Sequence, residues 1–200
     1  MLLKTYISWF SKLFSSNKEY QKEYLFKISS INNIDTIDWE PLKEPLPKIK
    51  RKDINIKDIK LNIHNENLRT REQFFRMGYK IEHMLIDQLS KHYLILNKQQ
   101  PYNTLKYEPI SLYGRIDGII KLDDNKVYLL EIKTRIHGFK NIDIVELNQI
   151  MLYMYLSGTR ACLFIQVYNN EIKTEMVYYS KDYMKCLKNN IKSFITSIKT

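Results

Sequence analysis

The stretch from Leu112 to Thr134, LYGRIDGIIKLDDNKVYLLEIKT, constrains this chain more than any other. Two apolar runs flank DDNK, a polar tetrapeptide of the kind that turns a hairpin. The first run carries one acid, Asp117, and the second carries Glu131 and Lys133 with Ile132 between them. Alternate side chains of a strand share a face, so Glu131 and Lys133 point the same way. If the hairpin pairs near its ends, Asp117 lies beside them. Two carboxylates and an ammonium on an otherwise apolar ribbon are costly to bury without compensation, and a divalent cation would compensate the acids.

The elements around this hairpin follow from periodicity and caps. Upstream, Thr70 and Gln73 form a capping box, and Phe74, Met77, Ile81, Met84, Leu85 and Leu89 set an apolar stripe running to about Tyr93. Gly78 and Glu82 lie four apart on one flank of that stripe. A glycine within a helix costs about 1 kcal/mol against alanine, which predicts a close approach by another backbone or a ligand. From the helix alone, Glu82 reads as an exposed carboxylate, and His83 and His92 as surface or boundary residues. Leu105 to Ile110 is expected to be extended, and Arg135 to Asn141 to be a loop. Asp143 and Glu146 suit a second N-cap and its third helical position, with Ile142 and Leu147 as a hydrophobic staple. That helix should run to about Leu156 and stop at Gly158, with Gln149 and Tyr153 on one face. Arg160 to Tyr168 is continuously apolar, as a buried central strand should be. Glu171 to Tyr179 alternates and pairs back through NNE. Ser180 caps a last helix with Met184, Leu187, Ile191, Phe194, Ile195 and Ile198 inward. Lys181, Lys185, Lys188 and Lys192 form a neighbouring basic stripe, suited to a phosphate backbone or simply to solvent.

The N-terminal third is less regular. Met1 to Phe14 has apolar residues at helical spacing and fits a helix packed on the body, a mitochondrial-type leader or a surface anchor. A second short helix is expected over 17–29. Pro41, Pro45 and Pro47 then break helix, and KIKRKDINIK follows as a solvated connector or a phosphate contact. The division expected is a helical, basic extension over 1–66 and a domain over 67–200. The order helix, strand, strand, helix, strand, strand, helix predicts an α/β fold, a mixed central sheet flanked by helices.

Charge bears on partners. A net charge of +10 favours a polyanion, nucleic acid or an acidic membrane surface. No stretch reaches the roughly 20 apolar residues needed to span a bilayer. Two cysteines, Cys162 and Cys186, make no disulfide framework, so reducing, intracellular surroundings are the default expectation.

Taken together, these residues resemble the PD-(D/E)XK nuclease superfamily, in its RecB-like and lambda-exonuclease-like branch. GRIDG around Asp117 is similar to its metal-binding acid segment. Glu131-Ile132-Lys133 matches its (D/E)-X-K motif, and Gln149 to Tyr153 matches the Q-x-x-x-Y helix motif of RecB-like members. Gly78-x-x-x-Glu82 resembles the upstream helix motif. The likeness runs from about Thr70 to the C-terminus, and its strength is the agreement of four motifs in order on the expected elements. Ile116 stands where the family name has proline, and Glu82 where many RecB-like members have histidine. Glu131 and Lys133 alone would suit an ion pair, but that leaves Asp117 and the helix motifs without a role.

The resemblance implies a restriction-endonuclease-like core in αββαββα order and Mg²⁺-dependent hydrolysis of DNA phosphodiesters, with Mn²⁺ able to substitute. Asp117, Glu131, the Ile132 carbonyl and Glu82 would hold the ion. Lys133 would orient the attacking water or offset charge, Gln149 would position water, Lys133 or phosphate, and Tyr153 would pack beneath the site or touch DNA. Arg115, together with Lys181, Lys185, Lys188 and Lys192, would contact DNA. The implied activity is an exonuclease at single- or double-stranded ends, in recombination, repair or genome maintenance. A structure-specific or restriction-type endonuclease and a non-catalytic DNA-binding module are the competing readings. Two distant cysteines cannot hold the iron–sulfur cluster of some relatives. A homo-oligomer, a recombination partner protein, and viral, nuclear, cytoplasmic or mitochondrial settings all stay open.

Overall fold

The structure, a computed structural model, describes residues 24–27, 48–56, 59, 61, 70–99, 101–107 and 110–199. The amphipathic segment at 1–14, the prolines at 41, 45 and 47, and the inward side chains expected at 194, 195 and 198 lie outside the described residues.

The three described helices begin where the sequence signals them. Helix α1 spans Arg71–Leu89 behind a complete Thr70–Gln73 capping box. Helix α2 spans Ile144–Ser157 behind the reciprocal Asp143–Glu146 box and ends on Gly158 at φ 71, a left-handed cap that suits glycine. Ile142 and Leu147, the expected staple pair, are both buried in the same cluster. Helix α3 spans Lys181–Lys199, and the Ser180 hydroxyl accepts from the Tyr183 N–H at 3.2 Å.

Strands β1 (Tyr24–Lys27), β4 (Pro101–Tyr107) and β5 (Ile110–Arg115) form one sheet in the order β1-β5-β4. A second sheet has the order β2-β9-β8-β7-β6-β3. Its members are β2 (Arg51–Asp53), β3 (Leu94–Leu96), β6 (Gly118–Lys121), β7 (Val127–Thr134), β8 (Ala161–Tyr168) and β9 (Glu171–Tyr178). β7 and β8 pair in parallel, joined through α2, while the other neighbours are antiparallel. This is the mixed sheet with helical flanks expected from the sequence.

Three expectations change. The short helix expected over 17–29 gives way at Tyr24–Lys27 to a strand parallel to β5, whose edge supplies backbone partners that a local helix would forgo. The basic run is not purely a connector, because Arg51–Asp53 pairs antiparallel with β9 at the sheet edge. Finally, the apolar run from Leu112 to Lys121 is two strands, not one. It breaks at Ile116 and Asp117, leaving β5 in one sheet and β6 in the other.

Alternation divides the core into two layers. Leu129, Ile150, Met151, Phe164, Tyr183, Met184, Leu187 and Ile191 pack between the sheet and α2 with α3. Ile81, Leu85, Leu89, Leu130, Ile132, Leu163 and Ile165 pack on the other face beneath α1. Glu131 and Lys133 therefore share the α2 face with Leu129, while Leu130 and Ile132 face α1.

Candidate active site

The break between β5 and β6 makes the site. The β6–β7 ladder ends at the Gly118–Leu130 pair, so beyond it the Ile132 N–H has no strand partner on that side. The Asp117 carboxylate takes its place, accepting from the Ile132 N–H at 2.6 Å. A strand residue directs its N–H and C=O to the same edge, so the Ile132 carbonyl also opens toward Asp117.

On the α2 face, Lys133 Nζ stands 2.7 Å from Glu131 Oε1 and donates to Gln149 Oε1 at 3.1 Å. Gln149 and Tyr153, one helical turn apart, both reach the site from α2. The Tyr153 ring lies against Gly114, where an added Cβ would come within 2.5 Å of Cε1. Glycine in GRIDG is thus required by the tyrosine of the Q-x-x-x-Y helix. Glycine inside a strand pattern is itself a signal of close approach, though its partner was not evident from the chain.

Glu82 enters from α1. Its charge acts on both Asp117 and Glu131, and its Oε1 accepts a hydrogen bond from Gln99 Nε2. Gly78, one turn earlier, has only ordinary contact with Thr134: a Cβ there would sit 3.9 Å away. Among the described residues no backbone approaches this glycine closely, and alanine would fit beside Thr134.

The electrostatics follow from one buried acid, Glu131, with two half-buried acids, Asp117 and Glu82, acting on it or beside it. Burial, then the charges of Glu131 and Glu82, push the Asp117 carboxyl well above its ordinary value, against smaller offsets from the Ile132 N–H and Lys133. Burial also raises Glu131, and Lys133 opposes that rise. Burial disfavours the Lys133 charge, yet Glu131 outweighs it and the ammonium titrates above its normal range. Tyr153 is pushed up to about 12, chiefly by burial, and stays a neutral phenol. Glu131 Oε2 is buried with no hydrogen-bond partner among the described residues.

The donor set, two or three carboxylates with a backbone carbonyl, has the all-oxygen chemistry of a hard divalent cation. An orphaned carboxylate oxygen beside a repelling neighbour also fits one. As the side chains stand, no three His, Cys, Asp or Glu among the described residues are grouped so as to hold a metal ion. Asp117 Oδ2 is turned to the Ile132 N–H and Glu131 Oε1 to Lys133.

The site thus brings together Glu82, Asp117, Glu131, Ile132, Lys133, Gln149 and Tyr153. It leaves Arg115 apart: exposed at the end of β5, Arg115 makes no hydrogen bond or ion pair with these groups among the described residues. Asp117 falls after the strand break, so alternation does not carry Arg115 to its side. Lys181, Lys185 and Lys192 are exposed on α3, whereas Lys188 is half-buried with Nζ 3.6 Å from the Tyr155 ring centre. Asn148 and Tyr155 face α3 while Gln149 and Tyr153 face the site, so α3 flanks it about a third of a turn around α2.

Two further groups were not evident from sequence. Gln99 is one. The other lies in the expected loop after β7, where Arg135 donates to Glu146 through Nη1 (2.5 Å) and Nη2 (3.1 Å) and to Gln166 through Nε (2.7 Å). This buried network ties the end of β7 to the start of α2 and to β8.

No family model and no curated protein matches the chain. Solved structures do. A crystal structure of SSO0001 aligns with TM-score 0.52 at 11% identity, covering 98% of this chain and 87% of that one. LHK-Exo in complex with dAMP aligns with TM-score 0.50 at 11% identity, covering 66% of this chain and 71% of its own. Another crystal structure of LHK-Exo, an alkaline exonuclease from Laribacter hongkongensis, aligns with TM-score 0.48 at 12% identity over 62% of this chain and 68% of that one. At such identities the likeness is one of fold alone. No described helix is long and apolar enough to cross a membrane.

Proposed function

We propose that this chain is a divalent-metal-dependent DNA nuclease, acting as an exonuclease at DNA ends. The observation that carries the reading is the group of buried Glu131 with half-buried Asp117 and Lys133 around Ile132, with Glu131 Oε2 unpartnered among the described residues and Lys133 anchored to Gln149. A structural ion pair would leave neither a repelling second acid nor an orphaned oxygen. The likeness in fold to LHK-Exo supports the same class.

Asp117, Glu131, the Ile132 carbonyl and Glu82 would hold Mg²⁺, with Mn²⁺ as a substitute. A bound ion of this kind lowers the pKa of its water and stabilises charge on a phosphate. The chain's own groups supply the rest. Lys133, held charged by Glu131, stands where an ammonium can orient the attacking water and offset developing phosphate charge. Gln149 fixes the Lys133 amine and so restricts the directions it can point. Tyr153, neutral and packed on Gly114, holds α2 against the β5–β6 break and keeps Gln149 in register. The exposed Lys181, Lys185 and Lys192 offer a flank for the DNA backbone.

One digestion series tests this reading. End-labelled linear and closed circular DNA, single- and double-stranded, is incubated with Mg²⁺ and with EDTA. Linear DNA should shorten from its ends only with the metal, and circles should survive. Nicked circles would instead make the enzyme an endonuclease. Tight DNA binding without cleavage under either metal would leave a binding module and contradict the reading.

A further inference from the structure

Gln99 lies between β3 and β4, in a turn where Asn97 (φ 50) and Gln99 (φ 52) both take left-handed backbone. Neither is glycine, so the conformation is held against its intrinsic preference by its surroundings. What it achieves is specific. The Gln99 N–H donates to the Asp117 carbonyl at 3.1 Å, fixing the turn to the acid-bearing break in the sheet. From that anchor the Gln99 amide Nε2 reaches across to donate to Glu82 Oε1 on α1. Among the described residues Gln99 Oε1 is buried and unpartnered, as is Glu131 Oε2. One residue therefore bonds the backbone of one candidate ligand and the carboxylate of another.

We propose that Gln99 is a positioning residue that ties Glu82 to the Asp117 backbone and so sets the third carboxylate of the cation site. Glu82 comes from a helix packed on the opposite face of the sheet from Glu131 and Lys133, and α1 alone gives a long glutamate side chain many rotamers. A neutral amide is the right partner, since a lysine or arginine would cancel the charge the cation needs. Hydrogen bonds from outside the ligand shell typically matter about 10–100-fold in metal affinity.

This inference rests on the cation-binding reading, and its test separates the two. Mn²⁺ is titrated calorimetrically into the full chain as wild type, Gln99→Asn, Gln99→Met, Glu82→Ala and Glu82→Ala/Gln99→Asn, with metal-free thermal midpoints recorded for each. Asparagine tolerates the left-handed backbone but is one methylene too short, and methionine keeps the length without the amide. Either Gln99 variant should bind Mn²⁺ roughly tenfold or more weakly than wild type, with its metal-free midpoint lowered by no more than the loss of one hydrogen bond. In the Glu82→Ala background, Gln99→Asn should add nothing. In the Gln99 variants the half-maximal Mg²⁺ concentration for cleavage should rise in step with the Mn²⁺ dissociation constant. Wild-type Mn²⁺ affinity in both Gln99 variants, or additive losses in the double variant, would overturn the role of Gln99 and leave the cation site standing. A wild type that takes up no Mn²⁺ would overturn both.

Discussion

Glu131 and Glu146 are buried alike, at 2% and 7% exposure, and near enough that the charge of one acts on the other. Their surroundings differ completely. Glu146 has a partner for each oxygen: Arg135 takes both, and the Asp143 N–H and Lys140 Nζ add a third and fourth contact at 3.4 and 3.3 Å. Glu131 has Lys133 on one oxygen and, among the described residues, nothing on the other. Glu146 is satisfied by the fold itself. Glu131 is not, and Asp117 and Glu82 add repulsion. A buried acid with a full set of partners stabilises architecture; one left short marks where chemistry is expected.

The sharpest way to break this comparison is Lys133→Ala. It should reduce cleavage by roughly 10²–10³-fold, as expected for loss of one electrostatic group aimed at the reacting centre. Folding should survive, because Glu131, already raised, can take up a proton when its partner goes; a circular dichroism melt checks that. Unimpaired cleavage would show that Glu131 and Lys133 are only an ion pair. Arg135→Ala should behave in the opposite way. Removing one partner of a buried, bidentate pair costs about 3–5 kcal/mol, read from urea unfolding, and activity should fall only with the folded fraction.

Asp117→Asn should separate stability from function. The amide can still accept from the Ile132 N–H but no longer repels Glu131, so the metal-free midpoint should rise by about 2–4 °C for each kcal/mol of repulsion removed, while cleavage is lost. The pH dependence has a definite sign. A carboxyl whose pKa is raised by folding contributes stability below its ordinary value near 4, and that contribution disappears as pH rises through the raised value. The gap in melting temperature between Asp117→Asn and wild type should therefore widen as pH rises above about 4 and close as pH falls toward it. The smallest effect belongs to the basic flank. Lys181→Ala with Lys185→Ala should lower the salt slope of DNA binding by about 1 for each phosphate contact removed, and leave the rate at saturating DNA unchanged.

Much of this comparison was visible before any coordinates. Glu131 and Lys133 share a face because period 2 demands it, and Gln149 and Tyr153 share one because they are four apart on a helix. Both capping boxes and the Gly158 stop are local chemistry, and local chemistry reads well from sequence. The break at Ile116 and Asp117 does not, because apolar residues on both sides give one continuous strand pattern. Only the competition between two sheets divides it. Arg135 sat in an expected loop, where periodicity gives no handle on a side chain that folds back to Glu146. Gln99 lies in LNKQQP, a polar turn with no motif, and its meaning arises only when α1 and the β5–β6 break are brought together. Tyr24–Lys27 departs from its local pattern for a similar reason: a strand distant in sequence, β5, decides its conformation.

The central claim is that acidic oxygens from α1, the β5–β6 break and β7 converge on one cation. A crystal of the full chain soaked in Mn²⁺ and measured for anomalous scattering tests it most directly. A peak within coordination distance of Asp117 and Glu131, with Glu82 turned toward it, is the predicted result. A map without signal among these three side chains, from protein that binds Mn²⁺ elsewhere or not at all, would contradict it.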